Sequence, residues 1–233
     1  MHPLVIVIPA FKPTFFRQTL ESLAAQTDQR FRVYVGNDGG PHDFEHICAD
    51  FPALDLEYRR YDENLGGRSL AGHWNRCIEA AEGPWVWLFS DDDVMGPECV
   101  AAVHERLTEF DDVPSSSSIP PGDLLRFNTR IIGSAGEVHR DSRPHPAQET
   151  GTDFIFDRLR GERDSFVVEY VFRREAWERA GGFPDYPVAW CADDVAWFRF
   201  SRRGGITTLD RGLVCWRASG VNITDANRSY QTE

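Results

Sequence analysis

Three consecutive carboxylates, Asp91, Asp92 and Asp93, stand at the end of the apolar run Trp85–Ser90 (WVWLFS). Adjacent like charges raise one another's pKa and repel unless a cation or solvent relieves them. Hard oxygen ligands of this kind suit Mg2+ or Mn2+, and Mg2+ commonly takes one or two carboxylates and completes its shell with substrate phosphates. The alternative is an acidic cluster facing the dipole of a following helix, opened by Pro97. Asp38 lies in Asn37-Asp38-Gly39, after the run Phe31–Val35. Glycines beside it let backbone approach a ligand closely, although an Asp there is also an ordinary turn former. Asp193-Asp194 follows the aromatic stretch Tyr186–Trp190 and opens a helix. The pair reads either as a helix cap or as a general base within reach of a hydroxyl proton.

Such groups need a scaffold that gathers strand ends. Leu4–Ala10 is a continuous apolar run, as expected of a strand buried on both faces. Helical spacing then runs from Phe16 to about Gln26. The strand Phe31–Val35, a short helix near Asp43–Asp50 and a strand within LDLEYRRY follow. Ser69 caps a helix whose apolar positions are Leu70, Trp74, Cys77, Ile78 and Ala81, ended by Gly83-Pro84. Trp85–Ser90 is a fourth strand, and Pro97 opens the next helix. This alternation predicts an α/β layer with a mostly parallel sheet. In such sheets ligands bind beyond the carboxyl ends of the strands, where Pro9-Ala10, Asp38 and the acidic run all stand. Residues 111–123 (DDVPSSSSIPPGD) read as a flexible connection. It joins residues 1–110 to 124–233 within one domain, 1–233, since about 110 residues on each side is small for independent folding. The second half carries strands near Leu124–Ile132, Phe166–Phe172, Ile206–Leu209 and Leu213–Arg217. Its helices lie near Asp153–Arg160, Arg174–Ala180 and Asp194–Arg203.

Composition narrows the classes. A net charge of −12, from 25 basic and 37 acidic residues, argues against nucleic-acid binding and against a purely electrostatic hold on anionic lipid. Five scattered cysteines, never in a C-x-x-C pair, suit a reducing compartment better than a disulfide frame or a zinc site. The N-terminal apolar run Leu4–Ile8 is too short for a signal peptide or a membrane span. A cytoplasmic domain without a transmembrane segment is the expectation.

The ordered set Ile8-Pro9-Ala10, Asn37-Asp38-Gly39, Glu63–Gly67 (ENLGG), Ser90–Asp93 (SDDD), Phe172–Phe183 (FRREAWERAGGF), Ala192-Asp193-Asp194 and Trp216–Thr224 (WRASGVNIT) resembles the family 2 glycosyltransferases of the GT-A fold. The resemblance runs from about residue 3 to residue 225. It implies a Rossmann-like mixed central sheet flanked by helices. It also implies metal-dependent, inverting transfer from a nucleotide-sugar donor, a UDP-sugar, to a saccharide or lipid-linked saccharide acceptor in bacterial surface polysaccharide or glycoconjugate synthesis. Peripheral membrane contact would come through the acceptor. By the same resemblance Pro9, Ala10 and Asp38 would line the base pocket, and Asn64, Gly66, Gly67 and Arg68 would lie beside the nucleotide. Asp91 would contact the ribose, Asp92 or Asp93 would bind the metal, and Asp194 would be the catalytic base.

Some positions depart from the pattern. Position 90 is Ser, so counting back from Pro97 gives Asp92 the metal-ligand place, whereas a bare D-x-D reading selects Asp91 and Asp93. Asp193 stands where Glu is commoner and remains a second candidate base. Trp216-Arg217 occupies the place of a late metal-binding His, which leaves Arg217 for the donor phosphate or for a surface salt bridge. Trp190 and Tyr186 would stack on an acceptor sugar or belong to the core. His73 reads as packed or capping, and His139 and His145 lie in polar loop sequence. Two rivals remain. A sugar nucleotidyltransferase would need a Gly-rich basic loop after the first strand, where this chain has PAFKP, and a nucleotide-sugar-binding module would bind without turnover.

Overall fold

The computed structural model describes residues 2–111 and 122–220. Most of the 111–123 connection, and positions 221–224 of the last motif, lie outside the described residues. Among the described residues twelve strands form two sheets. The large sheet has the order β3-β2-β1-β4-β10-β6-β11-β9, built from β1 (Leu4–Ala10), β2 (Phe31–Asn37), β3 (Leu56–Arg60), β4 (Trp85–Leu88), β6 (Leu124–Arg126), β9 (Gln148–Glu149), β10 (Tyr170–Arg173) and β11 (Ile206–Thr208). The small sheet has the order β5-β12-β7-β8, from β5 (Val94–Met95), β7 (Thr129–Ile132), β8 (Val138–Asp141) and β12 (Val214–Arg217).

Successive strand side chains point to opposite faces, and β1 shows the consequence. Leu4, Ile6 and Ile8 join Trp85, Trp87 and Val171 in one core cluster, against α1 (Phe16–Ala24) and α4 (Cys99–Asp111). Val5 and Val7 join Val86, Leu88 and Phe172 in the other, against α3 (Leu70–Ala80), α5 (Gly151–Leu159), α6 (Arg174–Ala180) and α7 (Ala192–Phe200). The sheet is therefore covered by helices on both faces, with the short α2 (Glu45–Ala49) on the first.

Strands β3, β2, β1 and β4 run parallel, as expected of the first half. Strand β10 lies antiparallel between β4 and β6, so the sheet is mixed. That reversal has a use: the N-terminal end of β10 reaches the edge where β1, β2 and β4 end. Residues just before β10 are thereby brought to the same place.

The expected strand Leu124–Ile132 is in fact two, belonging to different sheets. At Phe127 the ladder changes partner: its N–H donates to Glu169 O, and the next residue's carbonyl accepts from Val214 N of β12. The Phe127 ring lies flat on Trp87, with centroids 4.9 Å apart. A side chain so placed fixes the crossing between sheets, which no hydrophobic period reveals. Strands β5, β8 and β9, of two to four residues, are too short for periodicity to report.

Helix α3 is capped as expected, with the Ser69 hydroxyl accepting from Gly72 N at 3.1 Å. At its other end Arg174 donates to the carbonyls of Ile78, Ala81 and Gly83, satisfying acceptors that a helix end leaves open. Asn75 on α3 exchanges hydrogen bonds with both backbone groups of Phe183, which fastens α3 to the segment leading into α7. Helix α7 starts at Ala192, two residues ahead of the expected Asp194, so both aspartates sit in its first turn and neither is its cap. The cap residue is Cys191, at φ 57°. Packing sets the helix: Trp197 stacks on Tyr170 at 4.3 Å and meets Phe183 edge-on. The five cysteines are free. Among the described residues no helix is long and apolar enough to cross a membrane.

The turn ahead of α7 is strained. Val188, Ala189 and Cys191 have φ of 50°, 55° and 57°, a left-handed region that costs non-glycine residues about 1–2 kcal/mol each. A β-branched residue is the worst fit, and Val188 is 46% exposed, so few contacts offset the cost. Val188→Gly is expected to stabilise the chain by about 0.5–1 kcal/mol after the added flexibility of the unfolded state is discounted. Urea unfolding, read as a rise in midpoint at unchanged slope, checks this. A fall in midpoint would contradict the left-handed backbone.

Candidate active site

A cavity of about 640 Å3 opens along the carboxyl edge of β1, β2 and β4. Three groups of residues build it.

At one end lie Pro9, Phe11, Asp38, Asn64, Gly66, Gly67 and Trp74. Asp38 Oδ1 accepts from Leu65 N at 2.9 Å and Oδ2 from Gly66 N at 2.8 Å, while Arg76 forms an ion pair with Oδ1. Burial raises the Asp38 pKa, and these donors oppose it. A Cβ on Gly66 would stand 2.5 Å from Asp38 Oδ2, so that position must be glycine for the loop to close on the carboxylate. Asn64 Oδ1 accepts from Gly67 N at 2.8 Å, so Asn64 both forms the turn and faces the cavity. His73 is packed, as expected: Arg76 Nε donates to its Nδ1 at 3.0 Å, and burial drives its pKa down to about 3, leaving it neutral. Ala10 is not a wall of the cavity. Its side chain is in the core, and its carbonyl accepts from Asp38 N. Arg68 is also displaced from its expected role, being exposed and paired with Glu63 at 2.5 Å.

In the middle, the acidic run is sent three ways. Asp91 Oδ2 accepts from the backbone N–H groups of Phe11 at 2.6 Å and Lys12 at 2.7 Å, joining the ends of β4 and β1. Asp92 lines the cavity. Asp93 is fully buried, does not line the cavity, and accepts from Arg217 N at 2.7 Å. The alternative metal ligand Asp93 is thus turned into the fold, because β12 offers its carboxylate a backbone donor there. Burial raises the pKa of Asp91 to about 7, with the Asp92 charge adding to it. Burial also raises Asp92, opposed by Lys12 and Arg217.

Arg217 differs from both expectations. It is buried, and it clamps the backbone: Nε donates to Asp92 O at 2.7 Å, Nη1 to the carbonyls of Gly133 and Ser134, and Nη2 to Gln18 Oε1 at 2.8 Å. It holds the acidic run in place, and it does not line the cavity where a donor phosphate would lie.

At the far end lie Val188, Ala189, Trp190, Cys191, Asp193 and Asp194, with Arg158 from α5 and Asp164–Val167 from before β10. Trp190 faces the cavity, whereas Tyr186 stands outside its lining, 38% exposed. Asp194 is buried and held bidentately by Arg158, Nε to Oδ1 at 2.8 Å and Nη2 to Oδ2 at 3.0 Å. Asp193 beside it is raised to about 7 by burial and by the Asp194 charge. Phe166 and Trp216 stack at 4.4 Å and form part of the wall.

The residues brought together fit a hard divalent cation in one way. Among the described residues no group of three or more His, Cys, Asp or Glu could hold a metal alone. Asp91 and Asp92, however, are adjacent and both line the cavity, and burial raises the pKa of each. Two carboxylates completed by substrate phosphates is a common Mg2+ arrangement. Sequence reasoning missed Phe11, Lys12, Arg158 and Asp164–Val167 as cavity residues. Only for Phe11 and Lys12 was there a signal, their position just beyond the first strand.

Comparison with known proteins places the chain among relatives. Glycosyl transferase family 2 matches residues 5–164, well over half of the chain. The chain is 26% identical to the uncharacterized glycosyltransferase EpsJ of Bacillus subtilis, over 97% of this chain and 64% of EpsJ. It is 28% identical to the succinoglycan biosynthesis protein ExoW of Rhizobium meliloti, over 55% of this chain and 41% of ExoW. Among solved structures, S. aureus TarS 1–349 in complex with UDP-GlcNAc superposes with a TM-score of 0.68 at 16% identity, covering 95% of this chain and 60% of that one. The mannosyltransferase PcManGT of Pyrobaculum calidifontis, in complex with GDP-Man and Mn2+, gives 0.58 at 17% identity, covering 92% and 56%. These last two likenesses speak to the fold. The chain spans less than two thirds of the length of each of these four proteins. From the first strand, past the acidic run, to the turn before β10, the match is to one family, and the chain belongs to glycosyl transferase family 2.

Proposed function

We propose that the chain transfers a glycosyl group from a nucleoside-diphosphate sugar, a UDP-sugar, to a hydroxyl of a saccharide or lipid-linked saccharide, with inversion. The setting is bacterial surface polysaccharide or glycoconjugate synthesis. The observation that carries this reading is one cavity in which strand-end carboxylates Asp38, Asp91 and Asp92 face helix-start carboxylates Asp193 and Asp194. Support also comes from TarS, solved with UDP-GlcNAc, and from ExoW, whose name refers to succinoglycan biosynthesis.

In this account the nucleotide base lies between Pro9, Asp38 and Gly66, and its ring N–H donates to Asp38. The ribose sits at Asp91 and the diphosphate beside Asp92 and Lys12. Mg2+ or Mn2+ at Asp92, with Asp91 next to it, would supply positive charge where the departing diphosphate gains negative charge. The acceptor sugar enters against Trp190. Its hydroxyl oxygen forms the new bond to the anomeric carbon on the face opposite the diphosphate. The old C–O bond breaks, and its electron pair leaves with the diphosphate. Asp194 takes the hydroxyl proton, and Asp193 is the second candidate for that task.

Two outcomes test the account. UDP with Mn2+, at about a hundred times its Kd, should stabilise the chain by about 2.7 kcal/mol in a thermal-shift panel of nucleoside diphosphates. UDP without the cation should do less, and no shift with any nucleotide would contradict the donor site. Asp194→Asn should lower kcat by about 10²–10⁴-fold while UDP affinity stays unchanged. If Asp193→Asn shows that loss and Asp194→Asn does not, the base is Asp193.

A further inference from the structure

Arg158 lies on the last turn of α5, and Asp194 on the first turn of α7, 36 residues further on. The guanidinium meets both oxygens of Asp194 side-on, a two-bond geometry that fixes the plane of the carboxylate as well as its charge. Its remaining nitrogen, Nη1, donates to the carbonyl of Arg163 at 2.6 Å. Three of its five N–H donors are therefore committed within the protein, two of them to Asp194.

Behind Arg158 the turn is anchored in turn. Arg163 donates to Glu149 Oε1 at 3.0 Å and Asp157 Oδ2 at 2.6 Å, and its Nη1 lies 3.2 Å from His145 Nδ1. Glu149 also pairs with the fully buried Arg126 of β6, at 2.5 Å. His145, in turn, lies 3.3 Å from buried Glu169. A chain of contacts thus runs from the large sheet, through the turn after α5, to one carboxylate in the cavity: ion pairs hold Arg163, and its backbone carbonyl holds Arg158. Buried ions are costly unless paired, and surface docking of α5 would not require this many.

We infer that Arg158 is the positioning residue of the general base: held by the Arg163 carbonyl of a turn that ion pairs anchor, it orients Asp194 and keeps a charge beside the two adjacent aspartates. This rests on the transferase reading above. Asp193 and Asp194 face Arg158 from α7, with Tyr170 from β10, Asp164 from the segment before it, and Cys191 from the turn. Without the guanidinium nothing would fix the plane of the Asp194 carboxylate, and the like charge of Asp193 beside it would go unopposed.

The test uses the full chain with a donor that the wild type turns over. Arg158→Met should lower kcat about 10²-fold, the scale of a 1 Å misplacement, with donor KM and UDP Kd unchanged. Free guanidinium should restore part of the rate in Arg158→Ala. Arg158→Lys, which keeps the charge without the fork, should fall between Met and wild type, and it carries the test if the Met variant does not fold. A wild-type rate in Arg158→Met or Arg158→Lys would overturn the inference. So would a loss confined to donor affinity, or a folded Arg158→Ala that guanidinium leaves inactive. If the wild type turns over no nucleotide sugar, the transferase reading fails first.

Discussion

The carboxylate of Asp91 accepts two backbone N–H groups from the segment that follows β1. It thereby ties the end of the fourth strand to the end of the first, and much of the cavity hangs on that tie. Strands β1 and β4 are parallel neighbours, so their ends already lie side by side. The tie makes their loops one rigid lip, with Phe11 and Lys12 on one side and Asp92 on the other. A charged acceptor strengthens both hydrogen bonds, which offsets part of the cost of keeping a carboxylate out of water.

Three adjacent carboxylates cannot share one direction without repulsion. The fold separates them by giving two of them backbone donors. Asp91 is bound to the first strand's loop and Asp93 to β12, and Arg217 clamps the carbonyl of Asp92 between them. The Asp92 side chain lines the cavity, and its backbone donor is its own N–H rather than one from another strand. Arg217 reaches four partners on three segments, from Gln18 to Ser134, so the small sheet acts as a brace for the acidic run. At the opposite wall the acidic pair is mounted differently, on a helix held by aromatic stacking and preceded by a strained turn.

What the sequence made legible follows from locality. Apolar runs gave β1 its bounds to the residue, Ser69 marked the start of α3, and the polar residues after β1, β2 and β4 marked the binding edge. The roles of Arg217 and Arg158 were not legible. Each is defined by partners far along the chain, 199 residues away for Gln18 and 36 for Asp194. Likewise Asp91, Asp92 and Asp93 are identical in type, and only the position of β12 and of the β1 loop distinguishes them. His145 sits in polar sequence yet is buried among ion pairs, because Asn128, Arg163 and Glu169 converge on it in three dimensions. The split of Leu124–Ile132 into two sheets has the same origin, in a ring stack rather than a local signal.

The acidic run is thus divided, with Asp92 on the cavity and Asp93 in the fold. Mn2+ binding in the presence of UDP, followed by electron paramagnetic resonance, tests it directly in Asp92→Asn and Asp93→Asn. The account predicts that Asp92→Asn loses the UDP-dependent ion, while Asp93→Asn retains it and changes thermal stability instead. Retention of the ion by Asp92→Asn together with its loss in Asp93→Asn would contradict it.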